Sequence, residues 1–109
     1  MAVSSEYREF ALEQLGRVTR VTWRRMFGAV GIYGDGLFFA IISDDTLYFK
    51  TDDETRTDFE AAGMEPFRPY GDERTMAYHA VPGEVLEDME RLGEWVERAL
   101  AVARRAKRR

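Results

Sequence analysis

The sequence predicts a single α+β domain in the order α–βββ–α–ββ–α, with an antiparallel sheet packed against a long C-terminal helix. Three observations carry this. Apolar residues recur with helical spacing at both ends of the chain and with strand-like spacing between them. Two tight turns cut the first strand-like region into three runs, the pattern of a meander. Finally, 109 residues, 45% of them apolar and 13% aromatic, suffice for one core, since single cores typically run to ~100–150 residues.

The first helix is read in SSEYREFALEQLGR. Ser4 or Ser5 can cap it, and Glu6 and Glu9 sit where the helix dipole favours negative charge. Tyr7, Phe10, Ala11 and Leu15 form its apolar stripe, and Gly16 is placed to end it. RVTWRRMFGAVGIY, rich in β-branched and aromatic residues, reads as the first strand. LFFAIIS comes after Gly34-Asp35-Gly36, and TLYFKT after Asp44-Asp45. Thr51-Asp52-Asp53-Glu54 matches a capping box, in which the threonine hydroxyl and glutamate carboxylate each accept from the other's backbone N–H. A short helix, DETRTDFEAA, should therefore come next, bury Phe59 and Ala62 and stop at Gly63. PFRPYG and ERTMAYHAV read as two shorter strands around Gly71-Asp72, the first limited by its prolines to a sheet edge. Pro82 opens the last segment and Asp88 can restart it after one turn. Val85, Met89, Leu92, Val96, Ala99 or Leu100, and Ala103 then keep a helical stripe.

The glycines of MFGAVGIYGDGLFFAII pose the question of a phosphate loop. Gly31 and Gly36 fit the first part of a G-x-x-x-x-G pattern, but Leu37 and Phe38 stand where lysine and serine or threonine are needed. LFFAII is moreover a buried strand pattern, not a helix whose free N–H groups could face an anion. Asp35-Gly36 is instead a strong hairpin signal. Gly28 and Gly31, inside a strand, mark a kink or bulge, or a place where Met26-Phe27-Gly28 presents an aromatic side chain to a partner.

The absence of cysteine removes thiolate nucleophiles and zinc–sulfur sites, and fits a reducing cytoplasm. The N-terminus lacks a signal-peptide pattern, and no apolar run approaches the ~18 residues of a membrane span. No G-x-S-x-G elbow surrounds Ser4, Ser5 or Ser43. The chain is therefore expected to be cytoplasmic, without membrane attachment and not an enzyme. The net charge of −4 is uneven: the closing RRAKRR holds five positive charges, which leaves −9 on residues 1–103. The body should repel nucleic acid while its end attracts it.

Met26-Phe27-Gly28, Gly31-Ile32-Tyr33, Asp35-Gly36, Leu47-Tyr48-Phe49-Lys50, Phe59-Glu60-Ala61-Ala62-Gly63, Pro66-Phe67, Met76-Ala77-Tyr78 and the helix start at Val81-Pro82 together resemble the TfoX/Sxy N-terminal domain family. The similarity runs from about Val18 to Ala103, with departures at Ala29, usually glycine, and His79, usually a second tyrosine. The resemblance implies a secretion-chaperone-like α+β fold over residues 1–103, followed by a basic tail at 104–109. Longer bacterial relatives are regulators of natural competence with a second, C-terminal domain; this chain is expected to be a stand-alone domain. Those relatives are thought to act with the transcription machinery, and the family offers no catalytic residue or cofactor to transfer. The resemblance thus implies a non-enzymatic, cofactor-free regulatory module with a protein partner.

Candidate partner-binding residues are Arg25, Phe27, Gly28, Tyr33, Lys50, Tyr78 and Trp95. Strand alternation places Arg25 and Phe27 on one face and Arg24 and Met26 on the other. Arg24, Arg25 and Lys50 form either a small basic patch for an acidic partner or ordinary solvated charges. An exposed apolar patch is expected around Phe27, Tyr33 and a second helical stripe of Leu92, Trp95, Ala99 and Val102. Pairing of an open sheet edge or face makes a homodimer plausible. Arg104, Arg105, Lys107, Arg108 and Arg109 are helix-end cations, a solubilising tail or a nucleic-acid contact, the last being the alternative function. A third reading, a small-molecule or catalytic role, needs a cleft between sheet and long helix in which Tyr78, His79 or Lys50 converge. His79, the only histidine, is read as structural. Asp52, Asp53, Glu54 and Asp58 lack the calcium-loop arrangement and are read as capping groups; no metal is expected.

Overall fold

Four consecutive strands in the first half of the chain are joined by three two-residue turns. β1 (Val21–Met26), β2 (Ala29–Gly34), β3 (Leu37–Ser43) and β4 (Thr46–Lys50) are linked through Phe27-Gly28, Asp35-Gly36 and Asp44-Asp45. All six turn residues lie at positive φ, as a type I′ turn requires. Ahead of them runs α1 (Ser5–Gly16), and after them α2 (Arg56–Ala61), β5 (Pro66–Phe67), β6 (Met76–Ala80), α3 (Gly83–Leu86) and α4 (Met89–Lys107). The computed structural model describes residues 3–107. The α+β class and the order of helices and strands agree with those expected from the sequence. One segment differs: the run read as the first strand, RVTWRRMFGAVGIY, is the β1–β2 hairpin. Its turn was hidden because a phenylalanine occupies a position that ordinarily selects asparagine, aspartate or glycine.

The sheet is antiparallel throughout, in the order β1-β2-β3-β4-β6-β5. Ile32 pairs with Ala40 and Tyr33 with Phe38, so Phe39 is the extra residue of a β-bulge. The bulge turns both Phe39 and Ala40 towards the helices, while Phe38 and Ile41 face the opposite side. Gly31 is not itself a bulge; it leaves room for the Met26 side chain, which would clash with a Cβ there.

One face of the sheet carries Val30, Ile32, Phe39, Ile42, Leu47 and Phe49, all buried beneath the helices. α1 contributes Ala11 and Leu15, α2 Phe59, α3 Val85 and Leu86, and α4 Leu92, Val96, Ala99, Leu100 and Ala103. Phe39 and Phe49 meet at 5.7 Å between ring centroids. Among the described residues no helix covers the other face; Ile41, Phe67 and Tyr78 are buried there among Phe38, Tyr48 and Ala29.

Side chains close the helix ends. Ser4 Oγ accepts from the Tyr7 N–H at 3.1 Å, and Asp45 Oδ1 in the β3–β4 turn accepts from the Ser4 N–H at 2.7 Å. The box expected at the start of α2 forms one residue later than the sequence suggested, in the turn ahead of the helix, whose own N-cap, Thr55, makes no side-chain capping bond. Asp52 Oδ1 accepts from the Thr55 N–H at 2.8 Å, and Thr55 Oγ1 accepts from the Asp52 N–H at 3.1 Å. Thr51 is withdrawn from capping because its hydroxyl bonds His79 Nδ1 at 3.0 Å. Gly63, at φ +78°, ends this helix as expected: its N–H reaches Glu60 O, and the Met64 N–H reaches Phe59 O. Phe59 is buried as expected, but Ala62 stays exposed because the helix has already ended at Ala61. Asp88 restarts the last segment by accepting from the Glu90 and Arg91 N–H groups.

Phe49 is fully buried where β4 meets the helix layer. Phe49→Ala is expected to cost ~3–5 kcal/mol through lost burial and the void left behind. Urea unfolding checks this as a fall in midpoint at nearly constant slope.

Candidate interaction surface

Met26 and Ala29 close the β1–β2 hairpin, and Phe27 stands at its tip with its side chain fully exposed. Its φ is +50°, a left-handed conformation that costs an L-residue ~1–2 kcal/mol. The fold thus bears a local cost for an aromatic ring that buries nothing. Beside the ring lies an open groove of about 530 Å³, lined by Val3, Arg25, Met26, Phe27, Gly28, Ala29 and Val30. Three of the candidate residues, Arg25, Phe27 and Gly28, therefore sit together.

β1 itself has no buried residue. Trp23, 40% exposed, has two guanidinium groups near its ring: Arg8 from α1 at 4.8 Å and Arg25 at 5.9 Å. Arg24 points to the other face, 5.9 Å from the Tyr33 ring. Phe27 is in the turn and shares no strand face with Arg25. Arg8 and Trp23 were not singled out in the sequence, because their meeting depends on how α1 packs beside β1.

Tyr33, Lys50 and Tyr78 also come together, on the face without helices. Tyr33 stacks on Phe38 at 5.2 Å, Phe38 meets Tyr78 at 5.9 Å, and Lys50 Nζ lies 5.0 Å from the Tyr78 ring. Burial, with the nearby Tyr33 adding to it, pushes the Tyr78 hydroxyl up to about 12. Lys50 does not join Arg24 and Arg25 in one patch. Arg25 faces the helix side, and Arg24 is three strand spacings from Lys50, about 14 Å.

Trp95 lies on the helix side, where it lines a small cavity together with Lys50, Thr55, Phe59, Arg98 and Ala99. It packs edge-on against Phe59 at 4.7 Å with the Arg98 guanidinium 5.7 Å from its ring. The exposed stripe expected beside it does not form: Leu92, Ala99 and Val102 are buried. α4 is enclosed on more than one side, by the sheet and by α1 and α3.

The catalytic convergence of Tyr78, His79 and Lys50 is also not formed, because strand alternation sends His79 to the helix side. There its Nδ1 bonds Thr51 and its Nε2 lies 3.9 Å from the Glu60 carboxylate. Among the described residues no three histidine, aspartate or glutamate side chains gather as metal ligands, and no helix is long and apolar enough to cross a membrane.

Arg104, Arg105 and Lys107 form the last turn of α4; Arg108 and Arg109 lie outside the described residues. Arg105 Nη2 donates to Asp52 Oδ2 at 2.7 Å. The Thr55 N–H and this guanidinium hold Asp52 at about 2. Arg104 lines a second groove of about 410 Å³ with Arg20, Tyr33 and Asp35 among its walls.

The family model described as TfoX N-terminal domain matches residues 13–103. No curated protein matches the chain.

Two measurements test these placements. Phe27→Asn puts a residue tolerant of left-handed backbone in the turn and removes no packing, so it is expected to stabilise the protein by about 0.5–1 kcal/mol. A rise in melting temperature checks it. Burial lowers the His79 pKa below 6.5, with Arg56 adding to this and Glu60 and Glu65 opposing it. The unfolded chain then binds the proton more readily, so this contribution is complete above about 6.5 and is lost as pH falls through the folded value. Wild-type stability should fall as the pH is lowered from about 7 through 6.5 and below, and His79→Gln should flatten that fall.

Proposed function

The chain belongs to the TfoX N-terminal domain family, and we propose that it is a competence-regulator-like module that works through protein contacts rather than catalysis. Phe27 carries this reading. An aromatic ring held in solvent at a strained turn contributes nothing to the core, and exposed aromatic residues of this kind are typical anchors of protein interfaces. A component of the transcription machinery is the partner class that the family likeness suggests, and the cytoplasm is the compartment that fits a cysteine-free chain.

The nucleic-acid reading has less support. Arg105 is engaged with Asp52, and residues 1–103 carry −9, which opposes a polyanion.

A photo-crosslinking amino acid placed at Phe27, and as a control at exposed Thr57 on α2, tests the proposal in expressing cells. A discrete protein adduct from position 27 and none from position 57 is expected. No adduct at 27, or the same adducts at both sites, contradicts it.

A further inference from the structure

The arginines within the described residues fall into two groups. Arg17, Arg56, Arg68, Arg74, Arg91, Arg98 and Arg105 each have a carboxylate within 4.0 Å. Arg8, Arg20, Arg24, Arg25 and Arg104 have no such partner among the described residues. Arg104 belongs to the end of α4, but the other four lie on or beside β1. Among the described residues, an acidic protein thus gathers most of its uncompensated arginine at one strand.

That strand is also one of the two edges of the sheet, and the longer one, β5 at the other edge having only two residues. In a two-residue hairpin the closing pair, Met26 and Ala29, exchanges hydrogen bonds. Alternation then directs the N–H and C=O groups of Val21, Trp23 and Arg25 away from β2. Among the described residues, no backbone hydrogen bond outside the ladder involves these three.

We propose that the β1 edge takes an acidic, extended peptide segment of a partner protein as an added strand. The outward backbone groups supply main-chain pairing, as strand addition requires. Arg24 on one face and Arg25 with Arg8 on the other supply cations for acidic side chains on both sides of the added strand. The groove beside Phe27 receives an apolar residue where that strand passes the turn. A second copy of this chain fits less well, since edge-to-edge pairing brings arginines together. A nucleic acid cannot use the outward backbone groups in ladder pairing.

The proposal rests on the protein-contact reading, and its test separates the two. A short peptide of four successive glutamates followed by two valines, whose acidic side chains fall on both faces of an added strand, is titrated into the full chain and followed through the Trp23 and Arg25 amide resonances. Saturable shifts confined to β1 and the groove are expected. Arg24→Glu should weaken binding about tenfold, by replacing cross-strand attraction with repulsion. Arg25→Pro should weaken it about fivefold beyond Arg25→Ala, because only the former removes an outward N–H. The circular dichroism of both variants checks that the sheet persists; if Arg25→Pro unfolds, the Arg24→Glu result decides. Absent peptide shifts, equal binding by Arg25→Pro and Arg25→Ala in folded protein, tighter binding of a single-stranded oligonucleotide to β1, or a β1-mediated dimer in sedimentation each overturns it. If the Phe27 crosslink persists while the peptide fails, only the acidic strand is lost; if both fail, the contact reading falls as well.

Discussion

The seating of α4 on β3 and β4 sets the layout of the molecule. Phe39 and Phe49 lie beneath it with Val96, Ala99 and Leu100, and the bulge at Phe39 is what turns two successive residues into that layer. One long helix cannot span six strands. β2, β3 and β4 become buried, while β1, flanked by α1, keeps every residue at least partly exposed. Val21 still packs against the core, but substitutions at Trp23, Arg24 and Arg25 need not disturb it, which frees that part of the strand for a role outside the fold.

The three turns differ in what they contribute to folding. Asp35-Gly36 adopts left-handed geometry at little cost, and Asp44-Asp45 tolerates it while Asp45 also ties down the start of α1. Phe27-Gly28 has the same geometry with the least suitable first residue. A local choice that opposes the fold, with no compensating contact, is the kind of conflict expected at a functional site. The uncompensated arginines on the adjoining strand point to the same place independently.

Much of this was legible in the sequence because it depends on neighbours along the chain. Asp35-Gly36, Asp44-Asp45, Gly63 and Asp88 all act through their own backbone or that of residues close by, and the structure places each turn or helix end where they announce it. The failures involve distant partners. Thr51 looked like a cap, but His79, far along the chain, takes its hydroxyl. Leu92 and Val102 looked like a free stripe until α1, α3 and the sheet enclosed α4. Arg24 and Lys50 were seen as possible neighbours, but their separation depends on strand order. Phe27-Gly28 is a separate case, a local turn disguised by its unsuitable residue.

Amide hydrogen exchange on the free, dilute protein tests most directly whether β1 is an open edge. The Trp23 and Arg25 amides should exchange at rates close to those of unprotected backbone, while those of Thr22 and Arg24, directed into the sheet, are slowed. Strong protection at Trp23 and Arg25 without a partner would mean that the edge is already covered, and would contradict this account.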